Sequence, residues 1–93
     1  MKVIEILRNH EQEIKERFAV RRIGIFGSFI RGEEKEESDI DILVDFEQPT
    51  FRNFMNLAFF LKDLFGRRVD LLTLEGISHG IRPYVEKEVV WAD

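Results

Sequence analysis

The sequence predicts a small mixed β-sheet flanked by helices, an α/β or α+β sandwich of two layers. Three observations predict it: apolar residues at helical spacing near the N-terminus, an alternating run at 38–46, and a long apolar segment at 51–66 that ends in glycine. The chain has 93 residues, 44% of them hydrophobic and nine of them phenylalanine, which is enough apolar material for one core. We therefore expect residues 1–93 to form a single domain.

The N-terminal third of the chain predicts a helix, a strand and a tight turn. Residues 2–18 read as one amphipathic helix because the apolar side chains recur at intervals of three, four and seven, namely Val3, Ile4, Leu7, Ile14 and Phe18. The β-branched run at 21–26 predicts the first strand, and the chain then turns at Gly27. Ser28 can cap a following helix, which Gly32 and the surrounding charges keep short.

The stretch "SDIDILVDF" predicts a second strand with one unusual face. Its residues alternate, so that one face carries Asp39, Asp41, Leu43 and Asp45 and the other carries Ile40, Ile42, Val44 and Phe46. Residues 51–66 then predict a helix of about four turns that stops at Gly66. Residues 67–74 predict a third strand, and a short helix around Pro83 and an edge strand at 89–92 complete the order.

The long helix predicted at 51–66 has an aromatic residue on its polar face. At 100° per residue, one face is apolar, with Phe54, Leu57, Ala58, Leu61, Leu64 and Phe65. Phe59 falls within the polar side, between Asn56 and Asp63. We interpret Phe59 as a contact for a partner or a second copy of the chain, although single exposed apolar residues are also common.

Three aspartates predict a site for divalent cations. Asp39 and Asp41 share a strand face, and Asp70 would join them if the second and third strands are neighbours. Carboxylates are the oxygen ligands that Mg²⁺ prefers, with substrate phosphates and water completing its coordination. Two spaced acids alone could equally mark an edge strand that resists aggregation. The third acid favours the metal site.

The "FGSF" turn that follows the first strand offers a place for phosphate. Gly27 lets backbone N–H groups approach an anion, and Ser28 adds a hydroxyl donor. A Gly-Ser pair by itself more often only begins a turn. Its combination with the aspartates of the next two strands indicates a site for a metal and a phosphate-bearing ligand.

These segments together resemble a known family. "GSFIRG", "SDIDILV" and "VDLLT" resemble the motifs of the nucleotidyltransferase superfamily related to DNA polymerase beta, and the spacing GSxxRGxxxxxSDxDxxV is most similar to its minimal nucleotidyltransferases. Conventional members have alanine where this chain has Ile30, an apolar exchange that we expect to be tolerated. The resemblance covers about residues 20–74.

The resemblance implies transfer of AMP from ATP to a hydroxyl with two Mg²⁺ ions. It implies that Gly27 and Ser28 hold the β- and γ-phosphates, and that Asp39, Asp41 and Asp70 ligate metal, with Asp70 also the candidate base. Arg31 either neutralises triphosphate charge or is solvated. Many relatives are antitoxins that adenylylate a tyrosine of a HEPN-domain ribonuclease toxin, so the resemblance implies such a toxin as the partner.

Two alternatives stay open at this stage. One is a binding module that neutralises its partner by occlusion, without catalysis. The other is transfer of the nucleotide to a small molecule or to RNA. The long helix at 51–66 also leaves an oligomer open.

Charge and composition limit the kinds of partner and the cellular location that we expect. Eight of the 18 acidic residues lie between 33 and 47, so the rest of the chain is mildly basic, a poor footprint for duplex nucleic acid. There is no cysteine, no apolar stretch typical of a signal peptide and no membrane-length apolar run, so we expect a cytoplasmic protein. We interpret His10 as solvated, His79 as a loop residue, and Tyr84 and Trp91 as core residues, with Tyr84 alternatively stacking on a base.

Overall fold

The computed structural model describes residues 2–93 and confirms the mixed sheet flanked by helices. Five helices and four strands follow one another along this part of the chain. In order they are α1 (Val3–Asn9), α2 (Glu11–Phe18), β1 (Val20–Phe26), α3 (Ser28–Arg31), β2 (Ile40–Phe46), α4 (Phe51–Phe65), β3 (Val69–Thr73), α5 (Arg82–Glu88) and β4 (Val90–Trp91). None of these helices has the length and hydropathy needed to cross a bilayer.

The four strands lie in the order β3-β2-β1-β4. β1 pairs antiparallel with both β2 and β4, whereas β2 and β3 are parallel. A parallel pair needs a crossover connection, and α4 supplies it between β2 and β3. The predicted adjacency of the second and third strands is therefore confirmed.

Apolar side chains cover both faces of the sheet, to different extents. The larger core joins α1, α2 and α4 to the face that carries Ile40, Ile42 and Val44. A smaller cluster on the other face forms around Leu43, Ile77 and Val85. The expectation of two layers was therefore incomplete, because α5 and the turn before it add a partial third.

The prediction of one continuous helix over residues 2–18 is wrong. Residues 2–18 form two helices that meet at His10, whose backbone (φ −110°, ψ 5°) leaves the helical path. The His10 ring is partly buried and its Nδ1 lies 2.9 Å from the Ile6 carbonyl oxygen, so the side chain is not simply solvated. Leu7 of α1 and Ile14 of α2 both lie in the core, as the helical spacing predicts.

The long helix has the predicted boundaries. Thr50 Oγ1 accepts a hydrogen bond from the Asn53 backbone N–H at 3.1 Å, and Gly66 ends the helix in the left-handed conformation (φ 64°). Leu57, Leu61 and Phe65 are buried, as the helical spacing predicts.

The C-terminal aromatics divide between core and surface. Trp91 packs against the smaller cluster, and the Arg22 guanidinium lies 4.0 Å from its ring centre. Tyr84, in contrast, is 75% exposed, so the expectation that it packs in the core was wrong. The reason is that the short helix α5 buries a single side chain, Val85.

Gly24 is required where β1 pairs with both of its neighbours. A Cβ at this position would lie 2.7 Å from the Val90 carbonyl oxygen and 3.1 Å from Trp91 Cα. Both of these atoms belong to the backbone of β4, which cannot move aside without weakening its two-residue pairing with β1.

We expect Gly24→Ala to lower the free energy of unfolding by about 1–3 kcal/mol, the usual cost of overpacking a filled site. Chemical denaturation would measure the change. Gly80→Ala is the matched control, because no atom lies within 4 Å of its added Cβ, and it should alter stability by less than about 0.5 kcal/mol. Equal stability of the two variants would contradict the close packing at Gly24.

Candidate active site

Three aspartates from neighbouring segments lie at one end of the sheet. Asp41 and Asp70 are paired in register on the parallel strands β2 and β3, and Asp39 lies immediately before β2. Residues in register on neighbouring strands point to the same face, and residues i and i+2 of one strand do so as well. The structure thus brings together the three acids that the sequence singled out.

The electrostatics of Asp41 reflect this crowding. Partial burial raises the pKa of its carboxyl group, and the charges of Asp70 and Asp39 raise it further. The Arg31 guanidinium opposes the shift without cancelling it. A bound cation would relieve the repulsion between these carboxylates.

The donor set fits a hard divalent cation, although the side chains are not gathered around a single point. Asp39 Oδ1 accepts a hydrogen bond from Arg68 Nε at 3.1 Å. Within residues 2–93, no three potential ligands stand in metal-binding geometry. Asp39, Asp41 and Asp70 are the residues that could hold Mg²⁺, since each offers carboxylate oxygens and none is buried.

Gly27 lies directly against Asp41. Its backbone (φ 79°, ψ −152°) belongs to a region that side chains other than glycine rarely adopt. A Cβ here would overlap the Asp41 carboxylate, with Asp41 Cγ 3.0 Å away. Glycine is therefore needed for the backbone to pass this close to the Asp41 carboxylate.

Ser28 does not cap a helix, contrary to expectation. Helix α3 begins at Ser28 itself, Gly27 occupies the cap position, and no side chain caps the helix. The short helix, ended by Gly32, is otherwise as predicted. The Ser28 hydroxyl therefore caps no helix and lies in the same turn as the Gly27 N–H.

Glu88 is a member of this site that the sequence analysis missed. Its Oε1 accepts a hydrogen bond from the Gly27 backbone N–H at 2.9 Å and another from Arg31 Nη1 at 2.6 Å. Arg31 also donates to Glu33 at 2.7 Å, so Arg31 is paired rather than simply solvated. No local pattern could have revealed Glu88, which is 61 residues away from Gly27 in the chain.

Arg67 holds the loop that leads to Asp39. Its Nη2 donates to the carbonyl oxygen of Glu36 at 2.6 Å and to that of Ser38 at 2.9 Å. Its guanidinium lies 5.0 Å from the ring centre of Phe29, within the range of a cation–π contact. Arg67, two residues before β3, therefore fixes the segment that leads into Asp39.

Solved structures share this fold. One described as a minimal nucleotidyltransferase superposes with a TM-score of 0.77 at 34% identity, covering 94% of this chain and 93% of that one. Another, an AMPylated HEPN toxin of Shewanella oneidensis in complex with its MNT antitoxin, gives a TM-score of 0.70 at 21% identity, covering all of this chain and 72% of that one.

Sequence comparisons agree with the fold. The chain is 51% identical to the protein adenylyltransferase MntA of Thermococcus cleftensis over 87 residues, which are 92% of this chain and 88% of that protein. Residues 7–92 match the family described as "Nucleotidyltransferase domain". With its glycine turn and three aspartates in the corresponding fold, the chain belongs to the nucleotidyltransferase domain family.

Proposed function

We propose that this nucleotidyltransferase is a Mg²⁺-dependent protein adenylyltransferase that moves AMP from ATP to a tyrosine hydroxyl of a HEPN-domain toxin and thereby acts as an antitoxin. The observation that carries the proposal is the register of Asp41 with Asp70, beside Asp39 and against Gly27. The identity to a protein adenylyltransferase supports the reaction class.

The three acids have distinct roles in this proposal. Asp39, Asp41 and Asp70 would hold two Mg²⁺ ions, which would supply charge neutralisation to the transfer when bound. Asp70 is the most exposed of the three and lies on the outermost strand, where an acceptor can reach it. It takes the proton of the acceptor hydroxyl as the oxygen attacks the α-phosphorus. The bond from that phosphorus to the bridging oxygen breaks, and pyrophosphate leaves.

The phosphates lie on the other side of the acids. The Gly27 backbone N–H, the Ser28 hydroxyl and the Arg31 guanidinium form the cradle for the β- and γ-phosphates. The Glu88 carboxylate oxygen accepts hydrogen bonds from two of these three donors. That contact supports the assignment, because an anionic oxygen already occupies the position that a phosphate oxygen would take.

The partner is proposed from the solved relatives. One is a toxin–antitoxin complex with AMP-PNP, and another contains a HEPN toxin that is AMPylated three times. Each superposes on at least 92% of this chain, which supports a HEPN-domain partner. A cytoplasmic location is part of the same proposal.

The alternative is neutralisation of the toxin by occlusion, without transfer. The intact acids argue against it, since Asp41 carries an electrostatic cost that a purely structural surface has no reason to retain. If the toxin is silenced equally well without ATP and by a protein that lacks Asp41, occlusion is the correct function.

Transfer of labelled AMP to the cognate toxin tests the proposal. We expect Asp41→Asn to lower the rate about 100-fold or more, because losing a metal ligand removes several kcal/mol of transition-state stabilisation. EDTA should abolish transfer by the wild type.

Asp45→Asn is the matched control for that assay. Asp45 lies on the same face of β2 but pairs with Arg21 at 3.4 Å, at the opposite end of the strand. It should transfer AMP at the rate of the wild type. Full labelling by Asp41→Asn, or in EDTA, would refute the catalytic proposal.

Removal of the Asp41 charge should stabilise the metal-free protein. The pKa of Asp41 is raised in the folded state, so the unfolded chain gives up this proton at lower pH and stability falls as pH rises through the folded pKa. In EDTA at pH 7, Asp41→Asn should melt at a higher temperature than the wild type.

The difference in melting temperature should shrink as pH approaches about 3.9, where aspartate becomes protonated in both states. Mg²⁺ should raise the melting temperature of the wild type more than that of the variant. Asp63→Asn, at an exposed position on α4, is the control and should change little. A lower melting temperature for Asp41→Asn in EDTA would contradict the electrostatic argument.

Glu88→Gln should tighten the binding of ATP, because the Glu88 carboxylate competes with phosphate for Gly27 and Arg31. Isothermal titration with AMP-PNP and Mg²⁺ would measure the change, which we expect to be at least about threefold in Kd. The control is Glu86→Gln, since Glu86 lies on the same helix but pairs with Arg82 at 2.8 Å. Weaker binding by Glu88→Gln would show that the carboxylate assists the nucleotide instead.

A further inference from the structure

A shallow groove runs beside the acids at the outer edge of β3. We call it the edge groove; its volume is about 320 Å³. One wall comes from α4 and the other from the residues that begin β3. Its lining consists of Asp39, Ala58, Phe59, Lys62, Arg68, Val69 and Asp70.

The position of the edge groove follows from the strand order. Gly27 follows β1, Asp41 lies on β2, and Asp70 lies on β3, which is at the edge of the sheet. The phosphate cradle and the edge groove are thus on opposite sides of Asp41. In an in-line displacement the attacking oxygen must come from the side opposite the leaving group. If pyrophosphate leaves toward Gly27, the acceptor enters from the edge groove.

Phe59 gives the groove an apolar anchor. Phe59 is 60% exposed, whereas Leu57 and Leu61, two residues before and after it, face the core and are fully buried. An exposed aromatic beside two functional carboxylates offers a large apolar contact area, and aromatic anchors dominate the energetics of protein interfaces.

The shape of the edge groove favours a protein segment over a small molecule. Small ligands usually need a concave pocket that buries most of their surface. The edge groove is shallow and open, and Phe59, one of its lining residues, is largely exposed. A segment of another protein can cover such a surface while it presents one side chain to Asp70.

The charged residues of the edge groove indicate which charge the bound segment should carry. Arg68 is paired with Asp39, whereas Lys62 forms no ion pair within residues 2–93. Lys62 lies on α4 one turn from Phe59 and is exposed. An acidic side chain near the acceptor hydroxyl would complement it.

We propose that the edge groove binds the acceptor segment of the partner protein, with Phe59 packing against that segment and Lys62 pairing with an acidic residue near its hydroxyl. This inference rests on the proposed function, because it names the surface that presents the hydroxyl to Asp70. In this proposal Phe59 and Lys62 select the acceptor segment by binding it, and neither residue touches a reacting atom.

Steady-state AMP transfer to the cognate HEPN-domain toxin tests this surface. Phe59→Ala should raise the KM for the toxin about tenfold, as expected for loss of an aromatic anchor, and leave the KM for ATP unchanged. Titration with AMP-PNP and Mg²⁺ should give the same Kd as the wild type. Lys62→Glu should raise the KM for the toxin as well, and it serves as a second variant if Phe59→Ala folds poorly.

Phe51→Ala is the matched control. Phe51 is the other strongly exposed phenylalanine of α4, at 79%, and it borders a separate depression near Val44 and Thr73 that contains none of the three aspartates. It should transfer AMP with the KM of the wild type.

The outcomes separate this inference from the proposed function. If the wild type neither binds AMP-PNP nor transfers AMP, the proposed function fails and the edge groove loses its role with it. If the wild type transfers AMP and both Phe59→Ala and Lys62→Glu keep its KM for the toxin, only the edge-groove proposal is refuted. A weaker Kd for AMP-PNP in Phe59→Ala would also refute it, because Phe59 would then act on the nucleotide.

Discussion

The parallel pairing of β2 with β3 is the constraint on which the site depends. It sets Asp41 beside Asp70, and neither the antiparallel pairing with β1 nor the turn at Gly27 could supply that third acid. Parallel neighbours cannot be joined by a tight hairpin, so the chain needs a crossover of the length of α4. The same helix buries Leu57 and Leu61 in the larger core. One element thus stabilises the fold and makes possible the pairing that sets Asp41 beside Asp70.

The site carries an electrostatic cost that the rest of the fold offsets. Asp41 is partly buried beside two other carboxylates, an arrangement that destabilises the ion-free protein. The stabilisation comes from β1 and β2, whose buried isoleucines and valines are enclosed by helices on the larger core face. Functional sites often hold groups that the fold would otherwise exclude. Asp39 and Asp41 are only half-buried and Asp70 is exposed, so all three acids are open to solvent.

Local patterns in the sequence predicted the strands and the acids well. The period-two alternation in "SDIDILVDF" fixed which face each residue takes, and Thr50 and Gly66 marked the ends of α4. The errors concern contacts between distant segments. The break at His10 depends on how two short helices fit the sheet, and the exposure of Tyr84 depends on how little α5 covers. The hydrogen bond from Gly27 to Glu88 joins residues that are 61 positions apart in the chain. The roles of Asp39, Asp41, Asp70, Gly27, Ser28 and Arg31 stay predictions.

Arg67 anchors the loop at residues 33–39, which connects α3 to β2. Its guanidinium donates hydrogen bonds to the carbonyl oxygens of Glu36 and Ser38, so the end of the loop is fixed just before Asp39. Upstream, Glu34 is exposed and lies outside any helix or strand, between Glu33, which pairs with Arg31, and Lys35, whose backbone N–H donates to Ser38 Oγ at 2.8 Å. Additional residues there would lengthen the loop at a modest entropic cost and leave the aspartate in its place. This segment is therefore a suitable point for inserting an epitope or a reporter peptide.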